Sequence, residues 1–312
     1  DALTTGSFNV AIGAFSLSVE DTGNKSVAVG YAALENQNND NDNHNVAVGH
    51  NAGKAVTTGL YNTVLGGLAL DALTTGSENV AIGYQALSSA NSNEARNVAV
   101  GAYALQQLDN GSTGNTYNTA VGYAAGLLMT SGEQNTIVGA LAGDALTTGE
   151  YNTAVGYSTL SAEDTGSRNT AFGYNSLKNL NFDGNGYNTA VGYDSGRTIT
   201  SGVQNTIMGS LAGDALTTGS RNTAIGYLAL STEDEHGKNV AVGWAALSAQ
   251  NAGTDAHNTG VGYQAGVAVT TGTHNTLVGA NAGQNVTTGA RNTFMGYLAG
   301  ADTTIGQFNT AI

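Results

Sequence analysis

The sequence predicts an all-β protein: a β-solenoid of about 18 coils with 17 residues per coil. Three observations carry that prediction. The motif Asn-Thr-Ala-Val-Gly-Tyr and its variants begin 18 times in 312 residues, and twelve of the seventeen intervals are 17 residues, the others being 18, 19 or 21. A fixed period of this kind marks repeats that stack on one another. The unit is too short for a helical hairpin, which takes roughly 30 residues or more. Inside it Thr, Val and Ile alternate with Ala and Gly, the period-two pattern of a strand.

Each part of the unit has a reason, shown on residues 152–168, NTAVGYSTLSAEDTGSR. Position one is Asn in 17 of 18 copies, Ser26 being the exception, and stacking would align these amides into a hydrogen-bonded ladder through Asn118, Asn152 and Asn188. Positions two to four form the strand, so Thr153 and Val155 face one way and Asn152, Ala154 and Gly156 the other. Position five is Gly in all 17 units that reach it, Gly122, Gly156 and Gly192 among them, which predicts a positive φ or a backbone too close for a Cβ. Position six is usually Tyr or Trp where position three is Ala, as at Tyr84, Tyr157 and Trp244. It shrinks to Gly67, Ala140, Ser210 or Ala280 beside Val64, Ile137, Ile207 or Leu277. That inverse relation reads as volume compensation in a packed interior or interface, with Phe294 and Tyr297 departing from it.

A longer period overlies the first. DALTTG recurs at Asp1, Asp71, Asp144 and Asp214, so four units make a super-repeat, and the recurrence favours a turn role for these acidic residues. Extra residues fall chiefly after the second unit of each set, at 35–44, 106–117, 178–187 and 248–257. They are expected to project as loops from one side, four coils apart. Residues 1–312 thus read as one continuous solenoid. The last unit stops at Ile312, before its Gly, which suggests a segment of a longer periodic fibre.

Composition narrows the function. Nine Lys and Arg against 23 Asp and Glu give a net charge of −14, so clustered phosphate contacts, and with them nucleic acid, are excluded as a partner. No apolar run is long enough to span a membrane as a helix. With no Cys there is no disulfide, thiolate nucleophile or thiolate metal site, and with no Pro the backbone is free to hydrogen-bond throughout. None of the five His (44, 50, 236, 257, 274) has a spacing to another that suits a metal site, and the Ser and Thr lie in repeats. No catalytic residue and no cofactor are expected, and the chain is read as non-enzymatic.

Two groups of residues remain as candidate sites. Asp40, Asp42 and Asn38 in the first loop, with Asp109 and Asp183 in later ones, offer oxygen ligands that would suit Ca²⁺, against the alternative of solvated turns. Position seventeen collects Tyr61, Arg96, Tyr117, Tyr151, Arg168, Tyr187, Arg221 and Arg291 in a stripe. That stripe would grip polysaccharide or another fibre, or would pair internally between coils through ionic and cation–π contacts.

The NTAVGY unit, with its variants NVAIGA and SVAVGY, resembles the repeats of YadA-like heads in trimeric autotransporter adhesins and, more closely, the NTAIGY-type repeats of bacterial and phage tail-fibre-like proteins. The resemblance implies a left-handed β-roll, three identical chains packed about one axis, and surface attachment. The unit here is longer than the 14 residues common in the adhesin heads. Independently, a coil of small residues encloses little apolar volume, and its Asn, Ala and Gly face is flat enough for other chains to cover. A monomeric three-sided β-helix is the alternative. The function expected is a structural or adhesive extracellular fibre segment, on a cell surface or virion, displaying loops to a polysaccharide or protein receptor. The rival is a binding module, such as ice recognition by Thr119, Thr153 and Thr170 in stacked rows.

Overall fold

The computed structural model describes residues 3–91, 93–111 and 114–312, which fall into two units, Asp1–Asn152 and Thr153–Ile312. Asp1 of the first DALTTG and residues 112 and 113 of the second loop lie outside the described residues. The first unit holds β1 (Val10–Ile12) to β8 (Thr136–Val138), and the second β9 (Thr153–Val155) to β18 (Thr310–Ala311). There is one short strand per repeat, at positions two to four, and every pairing is parallel and in register: Thr170 opposite Thr189, Ala171 opposite Ala190. The protein is therefore an all-β solenoid of about 18 coils. A coil carries one strand, not the three of a three-sided β-helix.

The rest of each coil is turns, yet its backbone is hydrogen-bonded to the next coil far beyond the strand. In the second unit, Gly173 N–H donates to Val155 O at 2.7 Å, Asn175 N–H to Tyr157 O at 3.0 Å, Leu177 N–H to Ser195 O at 3.1 Å and Thr200 N–H to Thr217 O at 2.9 Å. A chain without Pro can do this, because every residue keeps its donor.

Four positions take positive φ. All 17 glycines at position five lie between 128° and 144°. A Cβ there would also collide with the next coil: at Gly122 it would stand 2.5 Å from the Gly139 carbonyl oxygen, and at Gly192 2.6 Å from that of Gly209. Both reasons anticipated for this glycine hold together. Positions seven, nine and seventeen are left-handed as well, with φ from 50° to 65° at position seventeen. Ordinary side chains sit there, but none at positions seven or seventeen is Val, Ile or Thr, the residues for which this conformation is worst.

The small-residue face of the strand points inward. Ala154, Ala171 and Ala190 are fully buried and Asn152, Asn169 and Asn188 are buried beside them, while Thr and Val at positions two and four face out. This corrects the expectation that the Asn, Ala and Gly face awaits another chain: each chain covers that face itself. Leu at position nine and an aliphatic residue at position twelve complete the interior, as at Leu177, Leu180 and Ile199. A buried Leu is worth about 1.5–3 kcal/mol, so a narrow coil still accumulates a core by repetition.

Volume compensation is real but joins different positions. Tyr at position six is half-exposed outside the wall, so it does not fill space for position three. The partner of position three is position nine. Where position three is Ile137, Ile207, Leu277 or Phe294, position nine is Gly143, Gly213, Gly283 or Gly300. A Cβ on Gly143 or Gly213 would lie 3.1 Å from the facing Ile, and one on Gly283 2.8 Å from Leu277. Phe294, the exception under the first rule, obeys this one, while Val64, in the same coil as Leu70, departs from it.

Candidate functional site

The outer wall presents rows that run from coil to coil. In the second unit Tyr157, Tyr174 and Tyr193 stack with centroids 5.4 Å apart, and Tyr227, Trp244 and Tyr263 stack at 6.2 and 5.2 Å. Each set of three ends at a small residue, Ser210 or Ala280, so the stacks repeat with the super-repeat. These rings are 42% to 53% exposed and stand beside the Val and Met of position four. Within the second unit the position-two row carries Thr in its first five coils, Thr153 to Thr223, before Val240 interrupts it.

Position seventeen forms a second row, aimed outward by its left-handed backbone. Arg96 bonds Glu78 at 3.0 Å and donates to the Tyr117 hydroxyl at 2.8 Å, with its guanidinium over the Tyr117 ring. Arg221 donates to Gln204 Oε1 at 2.9 Å, Arg168 to Asn185 Oδ1, and Arg291 lies 5.3 Å above the Phe308 ring. His44 stacks on Tyr61 at 5.4 Å, and Tyr61, Tyr117, Tyr151 and Tyr187 are exposed. The structure thus brings the stripe together, with its cations engaged laterally.

The four insertions were expected to project, but much of each remains in the wall. Gln37, Leu108, Leu180 and Gln250 are fully buried, and bridges pair Asn24 with Asp42, Ala95 with Asn115 and Ser167 with Asn185. Gln37 also repairs the amide ladder. Along the ladder an Asn backbone N–H donates to the side-chain oxygen of the Asn one coil earlier, as from Asn135 to Asn118 at 2.9 Å, from Asn152 to Asn135 at 2.9 Å and from Asn205 to Asn188 at 3.0 Å. The side-chain amide then donates across its own coil, from Asn118 to Gly132 O at 2.7 Å and from Asn188 to Gly202 O at 2.9 Å. Ser26 cannot reach so far, and Gln37 bonds both Ser26 and Asn45 in its place, at 2.9 and 2.8 Å.

The oxygen-rich loop residues are spread over separate contacts. Asp42 pairs with Lys25 at 2.7 Å, whose ammonium holds the carboxyl below its usual range. Asp40 accepts from Thr22 Oγ1, Asp183 from Thr165 Oγ1 at 2.6 Å, and Asp109 from Asn91 at 2.7 Å and Gly111 N–H at 3.1 Å. Asn38 is exposed and donates its backbone N–H to Thr57 O.

Sequence reasoning missed a set of carboxylates inside the coil. Position twelve is an interior site, filled by Leu73, Met129, Leu146, Ile199, Leu216, Val269 and Val286, yet in the first full unit of three super-repeats it is Glu20, Glu163 or Glu233, each fully buried. Glu20 accepts from Gly23 N–H at 2.7 Å, Gln37 at 2.9 Å and Asn43 at 3.1 Å. Glu163 accepts from Gly166 N–H at 2.8 Å and Phe182 N–H at 3.4 Å, and burial pushes its carboxyl up to about 7. Glu233 accepts from His236 N–H at 3.3 Å, and burial raises it too. The available signal was a charged residue at a position that is aliphatic in most units, with Gln37, Gln250 and Thr303 as its uncharged polar exceptions. Among the described residues no cleft or enclosed cavity opens on these groups. Comparison with protein-family models, curated proteins and solved structures finds no match.

Proposed function

We propose that the chain is a structural or adhesive segment of an extracellular fibre, a homotrimeric stalk or head that holds repeated surface features in register for attachment. The observation that carries this reading is the division of labour in the coil. The inside is mostly Asn, Ala and Leu locked by lateral hydrogen bonds, whereas the aromatic and most of the charged side chains stand in outward rows that recur every coil or every four coils. Such periodic display favours multivalent contact, in which many weak sites act together. The resemblance of the NTAVGY units to adhesin-head and tail-fibre repeats supports a surface location and three-fold assembly. Copies would meet through the half-exposed aromatic stacks and the neighbouring Val and Met row, since the Ala face is already covered. Light scattering is expected to give three times the chain mass of 31.3 kDa, and Tyr174→Glu with Trp244→Glu to give the single mass with unchanged circular dichroism. A monomeric parent protein would overturn the trimer.

A second reading rests on the position-two row. Thr153, Thr170, Thr189, Thr206 and Thr223 lie in register on adjacent parallel strands, a regular array of hydroxyl and methyl groups that suits a flat ordered ligand such as ice. Thermal hysteresis in dilute solution would favour it over the fibre reading, and its absence would remove it.

A further inference from the structure

The turn after the third buried carboxylate differs from its two sisters: Glu235 stands where they have Thr22 and Thr165, and His236 where they have glycine. Glu20 and Glu163 are followed three residues later by Gly23 and Gly166, whose N–H groups donate to them. After Glu233 that place belongs to His236. Side chains at this position have one direction available: a Cβ on Gly166 would lie 2.5 to 2.6 Å from the Glu163 carboxylate. Replacing Gly by His therefore turns an imidazole onto the buried Glu. In the folded chain His236 Nδ1 stands 3.6 Å from Glu233 Oε1, too far for a hydrogen bond. Nδ1 itself and Glu233 Oε2 are both buried without a hydrogen-bond partner. The Ala252 amide favours the charged carboxylate but closes no hydrogen bond of normal geometry. Glu233 is 0% exposed, a costly place for an unsatisfied oxygen. Glu20, by contrast, has three donors.

Asp234 completes the group: one donor atom from each of Glu233, Asp234 and His236 lies within 4.8 Å of the others. Donors on one ion at about 2.0–2.2 Å stand roughly 3–3.6 Å apart, so small side-chain rotations would close the three on a cation. We propose that Glu233, Asp234 and His236 bind one divalent transition-metal ion of the zinc class. The imidazole nitrogen selects against Ca²⁺ and Mg²⁺, which take oxygen donors. The ion satisfies both orphaned atoms and ties the coil that carries them into a fixed turn.

The test uses Zn²⁺ alone, titrated calorimetrically near neutral pH into the whole chain, with Co²⁺ as a spectroscopic substitute. One equivalent per chain is expected, undiminished by excess Ca²⁺. His236→Gly restores the residue of the two sister coils and so keeps the fold. It should weaken uptake at least about tenfold, as should Glu233→Gln, while the metal-free melting temperature of His236→Gly stays within a few degrees of the parent. Equal binding by the parent and His236→Gly, or binding by neither, would overturn the proposal and leave the group a plain Glu–His contact.

Discussion

Glycine at position five illustrates how much a single residue type can be forced by two causes acting together. At Gly192 the backbone sits at φ 141° and the next coil's carbonyl leaves no room for a Cβ, whereas at Gly253 in the last insertion φ is 65° and no atom lies within 4 Å of a Cβ. The pair separates the terms. Gly253→Ala should cost only backbone strain, about 1–3 kcal/mol, and Gly192→Ala strain plus the clash, so its loss of stability in urea unfolding should be clearly the larger. Equal losses would mean that close approach adds nothing. Glu163 gives a pH test of the same kind. Its carboxyl is raised from 4.5 to about 7 by burial, so between those values the folded chain holds a proton that the unfolded chain releases. Stability therefore falls as pH rises through that window and levels off above it, by an amount on the order of 3 kcal/mol. Glu163→Gln should flatten the difference between urea midpoints at pH 4.5 and pH 8. The glycine was legible from sequence because its invariance has no other explanation. The left-handed conformation at position seventeen was not read, since its signature is an absence, the missing Val, Ile and Thr.

Within a coil, the packing unit is the pair formed by positions three and nine. Ala224 and Leu230 are both buried in one coil, and Ile207 faces Gly213 in the coil before it, which places the bulk at position nine in the one and at position three in the other. Ala224→Ile alone should overpack the coil and cost about 1–3 kcal/mol. Adding Leu230→Gly should recover much of that loss, because glycine also suits the left-handed φ of 51° at that site. A double-mutant cycle by thermal melting measures the coupling, and strict additivity would show that the two positions do not share space. From sequence the compensation was assigned to position six, whose small residues recur in the last unit of each set, where position three is enlarged. Correlation along one chain could not tell a contact from a shared period. The buried Glu residues escaped notice for a related reason: Asp, Thr and Gly around them read as a surface turn.

For the molecule, the repeat length and the lack of Pro were enough to foresee stacked coils hydrogen-bonded around their perimeter, because the backbone has few other ways to satisfy itself at that period. The alternation of strand residues showed that two faces differ but not which one is inside. Small residues suggested an outer contact surface. The structure instead uses them to let a 17-residue coil close on itself, with the Asn side chains as its inner hydrogen-bonding groups. The three-fold assembly proposed above consequently depends on the aromatic and aliphatic outer rows, and the mass measurement probes those rows directly.

The Asn ladder carries one more consequence. Most of these amides are bonded both to an adjoining coil and across their own, as at Asn188, so a coil loses both sets of bonds when it detaches, and its neighbour is left intact beneath it. Under a pulling force the chain would therefore be drawn out one turn at a time, like yarn from a spool. Each release would lengthen it by about 50–55 Å, the contour of 17 residues less the height of one layer. Such a protein absorbs a tug by yielding in equal increments at its ends while the coils between keep their shape.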